Sequence, residues 1–183
     1  MKPFLIAIFL STPFWGFSQT ESSLHYSTYS NEKYTIAYPE TWRIDTSNMP
    51  RAEFSFFSPK EDATDTFSDN VNLIVRDLTK QHLRPDATLD EFEAFSEKQI
   101  KTLAVDVTEF SAKKIELNNT ECYEINFNLT YQQYRLHTKQ YYFISNSKSI
   151  VLTMSCEQKK LDKFQPVWNR ISGSFIYATS LTM

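Results

Sequence analysis

From Val107 to Cys156 the chain runs through four long stretches rich in aromatic and β-branched residues, separated only by short polar links. The stretches are Val107–Leu117, Glu121–Tyr131, Arg135–Ser145 and Ile150–Cys156. In the second, Tyr123, Ile125, Phe127, Leu129 and Tyr131 fall on one face of a period-two pattern, and in the last Leu152 and Met154 point one way, as a half-buried strand requires. The links Asn118-Asn119, Gln132-Gln133 and Asn146-Ser147-Lys148 have no room for the crossover of a dozen or more residues that parallel strands need. An antiparallel meander is the arrangement this spacing allows.

The rest of the chain adds strands before the meander and helices on either side of it. Tyr34–Tyr38 alternates and stops at Pro39; Trp42–Asp45, Ala52–Ser58 and Asn70–Leu78 read as further strands. Thr88 followed by Glu91 is a capping-box pair, and Leu89, Phe92, Phe95, Ile100 and Leu103 form the apolar stripe of the helix it starts. A second helix is predicted from about Asp162, with Phe164, Val167, Trp168 and Ile171 at helical spacing and Gly173 placed to cap its end. Strands, helix, strands, helix on an antiparallel sheet make an α+β fold.

Glycine is nearly absent: Gly16 and Gly173 are the two in 183 residues. That excludes the glycine-dependent phosphate and dinucleotide loops and the serine-hydrolase elbow. A net charge of -3 with pI about 5.6 lacks the basic excess of a nucleic-acid binder. Residues 1–18 have the form of a secretory signal: Lys2, the apolar run Phe4–Leu10, Pro13, then small residues before a cut after Ser18 or Gln19. The apolar run is too short to span a bilayer, which takes roughly 20 residues. Residues 19–32 read as a flexible polar leader and 33–177 as one folded domain. The expected location is the periplasm or the outside of the cell.

An exported chain with two cysteines invites a disulfide. Here Cys122 and Cys156 lie on strands with a third between them, and two strand steps of about 4.8 Å exceed the roughly 7 Å Cα limit of a disulfide. Two separate buried thiols are therefore expected. His25, His82 and His137 are not at metal-ligand spacing from one another or from a cysteine. The acidic stretch Glu61, Asp62, Asp65, Asp69 lacks the alternating pattern and distal Glu of a calcium loop and reads as a solvated loop. No catalytic constellation, metal set or cofactor motif emerges, and no cofactor is expected. The remaining signal is aromatic: Tyr131, Tyr134, Tyr141 and Tyr142 crowd one hairpin together with Arg135 and His137. Tyr and Arg favour interface hot spots but Tyr also packs sheets. Tyr131, Tyr134, Arg135 and His137 are the candidate partner-binding residues.

The stretch Tyr34-Thr35-Ile36-Ala37-Tyr38-Pro39-Glu40-Thr41-Trp42 resembles the opening of the PsbP-like superfamily, and Asp69-Asn70-Val71-Asn72-Leu73-Ile74-Val75 looks like its central Asn-Val strand. The helix after Thr88 and the segment Trp168–Phe175 fall where that family has its two helices. The resemblance implies an α/β/α sandwich: a central antiparallel sheet of about six to seven strands, one mid-chain helix and one C-terminal helix. The family, which includes exported bacterial members of unknown function, has non-enzymatic binding to another protein as its common thread; the resemblance implies the same here and transfers no functional residue. The expected role is an exported, non-catalytic binding or accessory module with a protein partner in the cell envelope and no nucleic acid. A small-ligand or ion carrier with a cleft between sheet and helix is the alternative, and a hydrolytic enzyme the less favoured one.

Overall fold

The computed structural model describes residues 24–47 and 52–178; the signal-like segment 1–18 lies outside the described residues. The elements are β1 (Tyr26–Ser30), β2 (Tyr34–Pro39), β3 (Arg43–Asp45), β4 (Phe54–Phe57), β5 (Asn70–Asp77), α1 (Leu89–Leu103), β6 (Val105–Leu117), β7 (Thr120–Tyr131), β8 (Tyr134–Ser145), β9 (Lys148–Glu157), α2 (Leu161–Ser174) and β10 (Ile176–Tyr177). A seven-stranded antiparallel sheet has the order β3-β4-β5-β9-β8-β7-β6, and a smaller one the order β1-β2-β10.

The meander forms as its pattern demands. Asn118 and Asn119 have φ of 51° and 61°, and Asn146 and Ser147 have φ of 50° and 57°. Two consecutive left-handed residues define the turn whose twist matches a two-residue hairpin, and Asn tolerates that region better than most side chains. β9 then pairs along its length with both β8 and β5. The connection from β5 to the far edge at β6 carries α1 across one face of the sheet. The capping box of α1 is formed: Glu91 N–H donates to Thr88 Oγ1 at 3.2 Å and Thr88 N–H to Glu91 Oε2 at 2.8 Å.

Alternation within β8 divides the two cores. Tyr141 and Phe143 join Leu152, Met154, Trp168 and Ile171 on the α2 side, whereas Tyr142 joins Phe92, Ile125 and Phe127 on the α1 side. The helices therefore cover opposite faces. The small sheet shares the α2 side: Tyr34 and Ile36 are part of that core, and Ala37 N–H donates to Ser174 Oγ at 2.8 Å.

Four local readings are corrected. β2 belongs to the second, smaller sheet and not to the central one. Residues 26–30, read as leader, form β1, because Tyr29 among the serines packs edge-on to Phe54 and Phe56 at 5.9 and 6.2 Å. Leu103, read as the last residue of a buried stripe, is 74% exposed at the end of α1. Gly173 is no C-cap: it lies inside α2 with ordinary φ. The helix ends because Phe175 turns extended and packs its ring 5.7 Å from Phe143.

The acidic loop is not wholly solvated either. Asp65 and Asp69 are buried, and both accept hydrogen bonds from the buried Lys160 ammonium, at 2.8 and 2.9 Å, with Glu157 at 3.4 Å. Burial pushes the Asp69 carboxyl above the usual carboxylate range, against the pull of Lys160. Cys122 and Cys156 are both buried and unpaired, with β8 between their strands.

Candidate functional site

The tip of the β7–β8 hairpin and the start of β6 form one end of the sheet. Gln132 (φ 54°) makes the turn. Register places Tyr131 opposite Tyr134, Thr130 opposite Arg135 and Asn128 opposite His137. The four candidate residues do not share one role. Tyr131 projects at the tip and is 55% exposed. Tyr134 folds back onto the loop before β5: its ring lies 5.2 Å from Phe67 and its hydroxyl donates to Thr66 Oγ1 at 2.8 Å. It acts as a joint between hairpin and loop. Arg135 is exposed and lines a cleft of about 380 Å³ with Asp106, Glu109, Asn128, Thr130 and Gln158.

His137 sits deeper, half-buried, with its ring nearly parallel to Trp168 of α2 at a centroid separation of 6.1 Å and an angle of 18°. Its Nδ1 is 2.8 Å from Asn128 Oδ1, and Asn128 Nδ2 donates to Glu109 Oε2 at 2.7 Å. The carboxylate can only accept, so the amide nitrogen faces Glu109 and the amide oxygen faces His137. The imidazole must then carry its proton on Nδ1. Burial lowers the His137 pKa below its ordinary value, the Lys139 charge adds to the fall, and Glu109 opposes it. Further along the same face of β8, Lys139 is buried 3.6 Å from Glu124, and Tyr141 donates to Glu124 at 3.0 Å.

Glu109 reaches this chain because β6 is irregular. Its pairing with β7 shifts between Val105 and Thr108 and again between Thr108 and Ser111, and Asp106 and Glu109 both take φ of 52°. A non-glycine residue held there is strained, and bulges of this kind re-aim side chains and blunt an exposed edge strand. Asp106, Glu109 and Asn128 escape a sequence reading: no glycine marks the bulges, and Asn128 looks like any polar residue of an alternating strand. Val105, 59% exposed, pairs with Thr130 beside Tyr131. Val105 and Tyr131 adjoin in the chain Asp106 and Thr130 of a cleft that holds one guanidinium, two carboxylates and two amides.

The arrangement is suited to recognition. The hydrogen bond of His137 goes to an amide and not to a hydroxyl or thiol that it could activate. Among the described residues no cluster of three or more His, Cys, Asp or Glu is placed to hold a metal ion.

The PsbP family profile matches residues 24–177. Cyanobacterial PsbP (CyanoP) from Synechocystis sp. PCC 6803 superposes with a TM-score of 0.60 at 14% identity, over 90% of this chain and 99% of that one. A Pseudomonas aeruginosa protein of unknown function, PA94, gives 0.54 at 12% identity over 81% and 94%. LpqN, involved in cell envelope biogenesis of Mycobacterium tuberculosis, gives 0.53 at 10% identity over 85% and 92%. At these identities the likeness is one of fold. None of the curated proteins matches the chain.

Proposed function

The chain belongs to the PsbP family, and from that premise we propose that it is an exported, non-catalytic accessory module that binds a protein partner in the cell envelope through the end of the sheet at the β7–β8 tip. One observation carries the reading: Val105 and Tyr131 are exposed and adjoin in the chain Asp106 and Thr130, which line the cleft of Arg135 and Glu109. Exposed apolar side chains next to a charged, hydrogen-bonding cleft match the anatomy of a protein interface, in which aromatic and arginine residues serve as anchors. The likeness to LpqN, a protein involved in envelope biogenesis, and the signal-like residues 1–18 support a periplasmic or extracellular site of action.

The test is capture from a solubilised envelope fraction with the mature protein as bait. Wild type is expected to retain a specific protein, and Tyr131→Ala with Arg135→Ala to lose it while melting at an unchanged temperature. A double variant that captures the same protein, or a wild-type bait that captures none, removes the reading.

A further inference from the structure

At the other end of β8 from the hairpin tip, residues of both sheets line one cleft. Lys33, in the link between β1 and β2, and Tyr177 of β10 stand on one side of the gap. Glu53, Val75, Arg76 and Lys148 of the large sheet and its flanks stand on the other. The space between them is a cleft of about 430 Å³, within the size range of small-molecule sites. It is not the cleft between sheet and helix on which the alternative carrier reading rested. Its apolar part is Val75, which packs against the main core, and the ring of Tyr177.

Its charge runs against that of the whole chain. Four cationic side chains, Lys33, Arg76, Lys80 and Lys148, line it against two carboxylates, Glu53 and Asp77, in a protein of net charge -3. Asp77 is already engaged by Lys80 at 3.3 Å. Lys33, Arg76 and Lys148 form no ion pair with any described residue. Arg76 Nε is moreover buried with no hydrogen-bond partner. A guanidinium is the group best shaped to grip an oxyanion through paired N–H bonds. Unpaired cations lining a low-dielectric wall also concentrate anions from solution.

We propose that this cleft is a binding site for a small organic oxyanion, a phosphate monoester or a carboxylate, whose charged head is taken by Arg76, Lys148 and Lys33 and whose apolar body lies on Val75 and Tyr177. The site is separate from the proposed partner surface, so either can fail alone. Its ligand could be a free solute or the headgroup of an anionic lipid, which present the same chemistry.

The experiment is a calorimetric titration of the mature protein with phenyl phosphate at low ionic strength and pH 7, with inorganic phosphate and benzyl alcohol as partial mimics. Saturable one-to-one binding of phenyl phosphate is expected, weaker binding of inorganic phosphate, and none of the alcohol. Arg76→Gln and Lys148→Gln should each weaken binding at least tenfold, whereas Lys98→Gln, on the exposed side of α1, should not. Circular dichroism confirms that each variant is folded. Cosedimentation with phosphatidylglycerol vesicles that phenyl phosphate competes away identifies a lipid headgroup as the source, and lack of cosedimentation identifies a free solute. Absence of saturable phenyl phosphate binding, or binding that Arg76→Gln and Lys148→Gln leave unchanged, overturns the proposal.

Discussion

The Lys160 ammonium lies 2.9 Å from Asp69 Oδ2, and Asp69 is 1% exposed. The same ammonium holds Asp65 at 2.8 Å, so one side chain at the entrance to α2 fixes the whole loop that leads into β5. Asp69 also accepts the Glu157 N–H at 3.1 Å through its other oxygen, which ties the loop to the end of β9.

Removing Lys160 would leave these carboxylates buried without a counter-charge. Breaking a buried ion pair from one side costs about 3–5 kcal/mol, because the partner keeps its desolvation penalty. Lys160→Met is therefore expected to lower unfolding free energy by that amount in urea denaturation. A loss under about 1 kcal/mol would mean that water screens the cluster.

Both thiols should be inert in the folded protein. Burial pushes the Cys122 and Cys156 thiols up to about 12, with nearby carboxylates adding to the rise, so almost no thiolate exists at neutral pH. Ellman's reagent is expected to find no reactive thiol in the native protein at pH 8 and both after denaturation without reductant. Finding none after denaturation would reveal a disulfide and contradict the strand order.

His137 makes stability depend on pH in a defined direction. Its folded pKa is lowered from 6.5, chiefly by burial, so the unfolded chain takes up the proton first as pH falls. The contribution is fully present above about 6.5 and is lost as pH drops through that value toward the folded pKa. Thermal unfolding between pH 8 and pH 5 should show this loss, and His137→Gln should flatten that part of the profile. A variant with the wild-type slope would assign the dependence to other groups.

What could be read in advance follows from the range of the interactions. The Thr88–Glu91 box and the asparagine turns are local, and each was visible in a few consecutive residues. The pairing of β2 with β10 joins segments more than a hundred residues apart, and short strands carry too little pattern to choose a sheet. The Lys160 cluster looked like a solvated loop because its cation comes from the other end of the chain. At the candidate site, exposure of Tyr131 and Arg135 followed from their place at a hairpin tip. Tyr134 and His137 are set instead by Phe67 and Trp168, which no spacing in β8 announces. Glu109 is aimed by a bulge with no sequence mark.

Gly173 separates two accounts of how α2 ends. A glycine that caps a helix sits at positive φ, and replacing it with alanine is destabilising there. The structure instead has Gly173 within α2 at ordinary φ, and a Cβ added to it meets nothing within 4 Å. The stop is carried by Ser174, whose hydroxyl donates to the Ile171 carbonyl at 2.7 Å, and by burial of Phe175. In that setting alanine reduces the freedom of the unfolded chain and favours the helix, together worth about 0.4–1 kcal/mol. Gly173→Ala is expected to raise the midpoint of chemical denaturation with an unchanged m-value. A lowered midpoint would restore the left-handed cap and move the helix end back to Ser172.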